Sequence, residues 1–483
     1  MRQYILSLPE FSKKLLLLIL GVVTAITIGY FTSHFGSVVP VTILVAVLLT
    51  TLLIGVFKTP RGGLIVSVFY CFLFFVLVRE AGGFPFGIGI ELILLLTWGA
   101  TLVKYKNYDW KLIKNDLFYL TLFWFIMSVL EVANPAGASV MGWLQEIRTS
   151  ALYPLLFIPL AFVLFNRNKD LNLFFILVIA LSLIAVLNGI RQVNFGLSAG
   201  EQKFLDEGGA TTHVIWGKLR AFSFFSNASQ FGTSQAHIGL MAFILAMGPF
   251  KWWKRALLLL ASGVIFYGML ISGTRGALFA LIVGGLVGIV LSKNYKILII
   301  GAITVVSFVS VLKFTTIGNG HYEIYRLRTA LDPQDASLNT RFINQEILKD
   351  YLKSRPFGGG LGVTGFWGAK YNSDKFLSKI PPDSYWVKVW VMYGIVGMML
   401  WFGMMMYILG KSCGIIWKIQ NKGLRFKLIA LCSGAAGIFF ASYGNEIIND
   451  MPSAMIVSIS WAFIFLGPRL DRQLLTQKND DDE

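Results

Sequence analysis

Three arginines and one aspartate have the chemistry to bind an anion and accept a proton. Arg220, Arg275 and Arg341 lie in polar stretches between apolar segments, and Asp383 stands just before an apolar segment. A guanidinium group stays charged at any working pH and can grip a phosphate through two parallel hydrogen bonds. A carboxylate can take a proton from a hydroxyl group. These residue types therefore indicate a site where an anionic group is held close to a base.

Each of these residues also has a structural interpretation. A single arginine at a membrane surface can extend to lipid headgroups or pair with a loop carboxylate. Asp383 could simply cap the helix that follows it, and the helix dipole is expected to lower its pKa.

Four charged residues fall inside apolar segments, where each is expected either to form an ion pair or to serve a site. They are Glu91, Glu131, Lys313 and Lys388. Lys388 lies one helical turn after Ser384, on the same face, so both are candidate substrate-binding residues beside Asp383.

The composition identifies a membrane protein. The chain has 483 residues, of which 56% are hydrophobic and 14% charged, and its mean hydropathy is +0.68. Soluble domains carry closer to a quarter charged residues. The net charge of +17 is scattered through short connections rather than clustered, which favours membrane topology over nucleic-acid binding. The three cysteines lie in or beside apolar segments, so no disulfide framework is predicted.

The pattern of apolar blocks predicts an all-α integral membrane protein, with residues 1–483 forming a single polytopic domain of about 12–14 transmembrane helices. Two blocks, 64–78 and 151–165, are short, and the second contains Pro154 and Pro159, so we expect either to be re-entrant or broken. The predicted spans are 15–31, 37–57, 64–78, 84–103, 116–132, 151–165, 171–190, 231–250, 256–272, 276–292, 297–314, 384–409, 426–442 and 453–467.

Lys and Arg concentrate in alternate connections, which predicts that both termini are cytoplasmic. Two long connections, 191–230 and 315–383, then lie outside, the second late in the chain. The second contains an amphipathic helix pattern around residues 339–353, ended by Pro356. The FGGGLG run that follows, 357–362, lacks the features of a nucleotide-binding loop. Its amides are expected either to face an anion or to form a plain helix stop and hinge.

Metal and cofactor binding are not indicated. The four histidines, His34, His213, His237 and His321, are dispersed without metal-ligand spacing. Of these, His213 and His321 are best placed for a catalytic role, because they fall in the long outside connections.

Four stretches between residues 220 and 397 resemble the O-antigen ligase and O-antigen polymerase superfamily of bacterial envelope enzymes. They are RAFSFFSNASQFGTSQA, SGTRGALFALIVGG, NTRFINQEILKDYLKSRPFGGGLG and DSYWVKVWVMYGIVG. The resemblance implies a multi-pass protein of the bacterial inner membrane that transfers glycans from a polyprenyl diphosphate carrier. It also implies that Arg220, Arg275 and Arg341 clamp the diphosphate.

In the ligases of this family, a histidine and a small polar residue precede nine positions and a Gly-x-x-Gly pattern. Ser384, Gly394 and Gly397 fit that frame, and Asp383 stands where the histidine would. The resemblance therefore implies that Asp383 is the base of a metal-independent, inverting transfer to a sugar hydroxyl of a glycan or glycolipid acceptor. It favours a polymerase, with a chain-length regulator as a possible partner, over a ligase that attaches finished glycan to lipid or protein.

The competing hypothesis is a carrier, either a flippase for lipid-linked oligosaccharides or a solute transporter. Glu91, Glu131 and Lys388 would then mark a translocation path. Transporters commonly show inverted repeats with paired broken helices, and the sequence shows none. A receptor or scaffold has only the long connections in its favour.

Overall fold

The computed structural model describes residues 50–82, 86–332 and 336–482. Residues 50–58 are helical and thirteen longer helices follow, joined by short helical turns and one two-stranded hairpin. The helices are α1 Pro60–Ala81, α2 Ile88–Val103, α3 Asp116–Leu130, α4 Val140–Leu164, α5 Asn168–Asn194, α6 Ala228–Ala246, α7 Trp252–Ile271, α8 Gly276–Leu291, α9 Tyr295–Phe314, α10 Ala336–Leu352, α11 Tyr385–Lys418, α12 Lys422–Ala441 and α13 Ser453–Asp482.

The protein is an all-α integral membrane protein, as the sequence predicts. Within the described residues, eight helices are long and apolar enough to cross a membrane: α1, α3, α4, α5, α7, α11, α12 and α13. Two shorter apolar helices, α2 and α8, accompany them. The predicted span 15–31 and most of 37–57 lie outside the described residues.

Both segments expected to be re-entrant or broken form full-length helices. The segment predicted at 64–78 is the 22-residue α1. The segment predicted at 151–165 is the second half of α4, which passes through a π-helical turn at Arg148–Leu152. Pro154 follows that turn closely and Pro159 lies inside the last stretch of the helix, and α4 continues through both. Residues 140–150, predicted as an outside connection, are therefore helical.

The helices pack around one large apolar core. The helix α6 lies between α7 and α12, α8 packs along α12, and α13 packs against both α4 and α12. Phe72, Phe157, Phe174 and Phe463 are among its largest fully buried side chains. The helix α6 is buried along most of its length although it carries polar residues such as Gln230 and Gln235.

The two long connections are folded rather than extended. In the first, short helical turns at Ala199–Phe204, Leu205–Gly209 and Ala210–His213 precede an antiparallel hairpin, β1 Val214–Ile215 with β2 Lys218–Leu219. In the second, the short helix Tyr322–Arg328 precedes α10 and another short helix, Gly365–Tyr371, follows it. The ring of Trp216, at the hairpin tip, packs on Tyr322 and Tyr325, and so joins the two connections.

The helix α10 occupies the stretch with the amphipathic pattern. Its Leu348 and Leu352 are buried against Val363, Leu377 and α11. Phe342 and Ile343 are exposed, because only the C-terminal half of α10 packs against the rest of the protein.

The glycine run at 357–362 packs against a kink in α11. Gly394 has φ +68° and ψ −171°, which interrupts the helix and exposes its backbone groups. The N–H groups of Gly359 and Gly360 donate to the carbonyls of Val391 and Met392 at 2.9 and 3.0 Å. The sequence predicted either an anion-binding loop or a plain helix stop and hinge for this run. Neither prediction includes the contact between the run and α11.

Replacing Gly394 with alanine is expected to destabilise the fold. The new Cβ would lie 2.0 Å from the Pro356 carbonyl oxygen, in a backbone conformation that L residues rarely adopt. Strained backbone of this kind costs about 1–3 kcal/mol, and the clash adds to that. Thermal unfolding of the purified protein should show a lower midpoint for Gly394→Ala. Gly403→Ala is the matched control, since nothing lies near its new Cβ on the same helix. Equal midpoints for the two variants would contradict this account of the kink.

Candidate functional site

Two adjoining cavities of opposite charge lie where the two long connections meet the ends of the helices. The larger, about 710 Å³, is lined by Glu146, Asp383, Lys388, Glu446 and Asp450 among others, and we call it the acidic cavity. The smaller, about 380 Å³, is lined by Arg220, Arg275, Arg326 and Arg341 among others, and we call it the basic cavity. Thr212, Arg220, Ser229 and Asn445 line both cavities and so form their common wall.

Arg220 is anchored by backbone and hydroxyl oxygens. Its Nε donates to the Ser272 carbonyl at 2.9 Å and one terminal nitrogen donates to the Thr212 carbonyl at 2.8 Å. The other terminal nitrogen reaches Thr274 Oγ1 at 3.2 Å. No ion pair joins Arg220 to a carboxylate in the part of the chain described here. The guanidinium is thus positioned precisely while its charge is not neutralised by an ion pair.

The surroundings of Arg220 disfavour its positive charge. Burial, together with the neighbouring Arg326 and Arg275 guanidinium groups, lowers its pKa to about 10, while Tyr322 opposes the shift. Four arginines and one carboxylate, that of Asp332, line the cavity, and such a surplus of positive charge is stabilised when an anion binds. The basic cavity therefore has the electrostatic character of an anion site.

The predicted arginines come together from three parts of the chain. Arg275 immediately precedes α8, in the tight turn through Gly273, whose φ is +56°. Arg341 lies on α10, and Arg220 follows the hairpin. Sequence reasoning missed Arg326, which lies on the helix Tyr322–Arg328 with its guanidinium 5.5 Å from the Trp216 ring centroid.

In the acidic cavity, Lys388 joins two carboxylates. Its Nζ lies 3.0 Å from Glu146 Oε1 and 2.8 Å from Glu446 Oε2. Glu146 and Lys388 are almost fully buried, and Glu446 is partly exposed in the connection between α12 and α13. The sequence predicted either an ion pair or a role in the site for Lys388. The ion pairs are present, and Lys388 and both of its partners line the cavity. Sequence reasoning missed Glu146 because it was assigned to a loop.

Asp383 is not the helix cap. Ser384 occupies that position: its Oγ accepts a hydrogen bond from the Val387 N–H at 3.3 Å, and it is buried. Asp383 instead has φ +48°, a left-handed conformation in which Asp, Asn and His are enriched among non-glycine residues. Such backbone strain clusters at functional sites. Binding of substrate by Ser384 stays a prediction, since Ser384 does not line either cavity.

The expected lowering of the Asp383 pKa is wrong in direction. Burial raises the pKa of this carboxyl, and the nearby Glu446 raises it further, while Arg341 opposes both effects. The direction is set by burial, which disfavours the charged form of a carboxyl group. A raised pKa makes the carboxylate a better proton acceptor than an exposed aspartate.

Asp450 is a second carboxyl of the acidic cavity that sequence reasoning missed. Burial and the nearby Glu446 raise its pKa to about 7, against the opposing effect of Lys388. Its side chain accepts one long hydrogen bond, from Ser226 Oγ at 3.4 Å. The only signal in the sequence was the spacing in GNEIIND, which places Asn445, Glu446, Asn449 and Asp450 on the cavity wall.

His213 lines the acidic cavity and is held in place by its neighbours. Its Nδ1 lies 2.9 Å from the Gly209 carbonyl, and its Nε2 accepts from the Ala228 N–H at 3.1 Å. Burial lowers its pKa to about 4, so it is neutral at physiological pH. His321 precedes the helix Tyr322–Arg328, is exposed, and lines neither cavity.

The other intramembrane charges lie away from the two cavities. Glu91 pairs with Arg148, whose Nε donates at 2.5 Å, and also accepts from Tyr153. Glu131 accepts from the Asn134 amide at 2.7 Å, and the Lys313 ammonium lies over the Phe314 ring. Neither Glu91 nor Glu131 lines a cavity with Lys388, as a shared translocation path would require. Across the described ranges, no group of three or more His, Cys, Asp or Glu side chains could hold a metal ion.

One family model matches part of the chain. Residues 258–402, from α7 into α11, match the family model described as O-antigen ligase. The matched region contains Arg275, Arg341, Asp383 and Lys388, and confirms the resemblance that the sequence motifs indicate. No curated protein sequence matches the chain.

The raised pKa of Asp450 predicts a pH-dependent stability. An acid whose pKa is higher in the folded than in the unfolded state favours folding while protonated, and this contribution is lost as pH rises through about 7. Asp450→Asn keeps the shape without the charge, so its unfolding midpoint should rise relative to the unmodified protein, more at pH 8 than at pH 5. Thermal unfolding of the purified protein at both pH values measures this. Asp206→Asn, at an exposed aspartate, is the control. A midpoint difference that is independent of pH would contradict the assignment.

Proposed function

Starting from the O-antigen ligase domain at residues 258–402, we propose that this protein is a membrane glycosyltransferase that moves a glycan from polyprenyl diphosphate to a sugar hydroxyl. The observation that carries the proposal is the pair of cavities with opposite charge and a common wall at Arg220 and Asn445. A departing diphosphate is stabilised by cations, and an attacking hydroxyl group needs a base. Both groups must lie at the same atom, the anomeric carbon of the transferred sugar. The cavities supply the two environments side by side.

In the proposed reaction, the basic cavity holds the donor diphosphate. Arg220, Arg275 and Arg341, with Arg326 added from the structure, offset the charge that grows on the diphosphate as its bond to the sugar breaks. Guanidinium groups suit this role because they bind phosphate oxygens in pairs and stay charged. The prenyl chain then extends into the bilayer.

The acceptor hydroxyl attacks from the acidic cavity. Its oxygen forms the new bond to the anomeric carbon, with inversion, while the diphosphate leaves with the electrons of the broken bond. Asp383 takes the hydroxyl proton, which its raised pKa favours. Lys388 with Glu146 and Glu446 holds the cavity wall beside it.

We favour a polymerase over a ligase, because Asp383 occupies the position of the ligase histidine. Deleting the gene and analysing polyprenyl-linked glycans separates these activities: single repeat units accumulate without a polymerase, and finished long chains accumulate without a ligase.

The proposed location is the bacterial inner membrane with both termini cytoplasmic. In that topology Ser373→Cys should react with an impermeant thiol reagent in intact cells, and Lys422→Cys only after lysis.

Removing one arginine of the basic cavity should abolish most transfer. Arg341→Ala is expected to reduce the rate by about 10²–10³-fold, the usual cost of losing one group that stabilises developing charge. Arg341→Lys should restore only part of the rate, because the two-pronged grip on phosphate is lost. The measurement is the level of lipid-linked substrate and polymer in complemented deletion cells. Lys349→Ala, at an exposed lysine of the same helix, is the control. Full activity of Arg341→Ala would exclude the role in binding diphosphate.

Replacing Asp383 tests the base. Asp383→Asn should fold and insert normally, because Asn also accepts the left-handed backbone, yet lose about 10²–10⁴-fold in rate because an amide cannot take the proton. Asp383→His suits the same backbone and supplies another base, so it should keep measurable activity. The same complementation assay applies, with Asp374→Asn as the exposed control. A fully active Asn variant would end the assignment of Asp383 as the base.

A further inference from the structure

Three of the side chains that line the acidic cavity each carry a buried oxygen atom that lacks a hydrogen-bond donor. Glu146 Oε2, Gln230 Oε1 and Asn449 Oδ1 have no partner among the described residues, and all three side chains are more than nine-tenths buried. Each residue lines the acidic cavity. Buried polar atoms are normally paired, so three unpaired ones on one cavity wall point to a ligand that supplies the missing partners.

All three atoms are acceptors. The orientation of the Gln230 amide is fixed, because its Nε2 lies within hydrogen-bond distance of the Asp450 carbonyl, the Met451 carbonyl and Ser453 Oγ. Its Oε1 is therefore the atom left without a partner. A carboxylate oxygen such as Glu146 Oε2 only accepts. The ligand must accordingly bring hydrogen-bond donors, as hydroxyl, amide or ammonium groups do.

The charges of the cavity lead to the same ligand class. Glu146 and Glu446 share the single positive charge of Lys388, which leaves a surplus of negative charge. Asp383 and the partly charged Asp450 add to it. Arg220 stands only at the wall shared with the basic cavity. An anionic ligand in this cavity would be repelled by the carboxylates that line it, and the low dielectric of the protein interior strengthens that repulsion.

An aromatic wall completes the cavity. Phe366 and Trp367 lie on the short helix Gly365–Tyr371, and Phe366 is 71% exposed. Trp367 is held by stacking on Tyr371, with ring centroids 5.9 Å apart. An exposed ring and a half-buried ring beside amide and carboxyl groups suit a ligand with both apolar faces and polar edges, which is the character of a pyranose ring.

We propose that the acidic cavity is the acceptor subsite and that it selects a neutral or amine-bearing saccharide against one carrying a carboxylate or phosphate. The assignment of the bound saccharide as the acceptor rests on the proposed function, whereas saccharide binding and selection by charge rest on the cavity alone. The common wall at Arg220 keeps the negative charge of the donor on the basic side.

The test is equilibrium binding to the full-length protein in lipid nanodiscs, measured by saturation-transfer NMR. The probes are N,N′-diacetylchitobiose, which is neutral, chitobiose, which carries amines, and the hyaluronan disaccharide, which has the same number of rings and one carboxylate. We expect the first two to bind and the third to bind about tenfold more weakly at low ionic strength, with the gap narrowing in high salt. Equal binding of the hyaluronan disaccharide, or no binding of any disaccharide, would overturn the inference.

Four variants test whether the disaccharides bind in the acidic cavity and whether its carboxylates cause the selection by charge. Glu446→Gln removes one carboxylate charge and should narrow the gap between neutral and acidic disaccharide. Glu207→Gln removes a carboxylate from an exposed position outside both cavities and should leave the gap unchanged. Asn449→Ala and Trp367→Ala should weaken binding of diacetylchitobiose, each by removing one wall contact. Unchanged binding in both of these variants, which differ in burial and in structural role, would place the saccharide elsewhere and reject the proposal.

A parallel measurement separates this inference from the proposed function. Geranyl diphosphate binding to the same nanodiscs, and its loss in Arg341→Ala, reports on the basic cavity alone. Diphosphate binding without saccharide selectivity rejects the inference and leaves the proposed function standing. Saccharide selectivity without diphosphate binding rejects the proposed function and retains the saccharide site.

Discussion

The interaction on which the site depends is the buried ion pair network of Lys388 with Glu146 and Glu446. It connects α4, α11 and the segment between α12 and α13, three elements that are far apart in sequence. Charges buried in this way are costly unless they are paired with good geometry, so the pairing constrains how the three elements approach each other. The position of α11 in turn sets where Asp383 enters the cavity, and the connection after α12 carries Glu446 and Asp450 to the facing wall.

A second constraint holds the long late connection against the helices. The kink at Gly394 leaves backbone carbonyls of α11 without partners along the helix, and the amides of Gly359 and Gly360 satisfy them. Inside a membrane protein such irregular backbone is tolerated where protein covers it. Glycine is required on both sides of this contact because the two backbones approach within the space of a Cβ atom. The aromatic wall and Asp383, which follow in the chain, are thereby held close to the acidic cavity.

The separation of charge between the cavities gives a physical basis for transfer between two bulky substrates. In the proposed reaction, a donor diphosphate and an acceptor sugar approach within bonding distance without exchanging places. Like charges in the basic cavity favour the diphosphate, and the surplus of carboxyl groups next to it disfavours the same anion. Arg220, anchored by carbonyl oxygens, stands at the boundary. Binding and orientation of this kind account for a large part of the rate that an enzyme supplies.

The sequence by itself determined the class of the protein and the candidate residues that stand next to apolar segments. Long apolar blocks require membrane helices because no soluble core accommodates them, and Arg275, Arg341 and Asp383 stand out because polar residues next to such blocks are conspicuous. The residues that need partners to be recognised were decided only by the tertiary structure. Glu146 was taken for a loop residue until the helix α4 placed it against Lys388, and Asp450 is an ordinary aspartate until burial raises its pKa. Ser384 rather than Asp383 caps α11, a distinction of one residue that local pattern cannot make. The physical reason is common to all three cases: burial and charge pairing arise between segments distant in the chain, whereas hydropathy is a property of each segment alone.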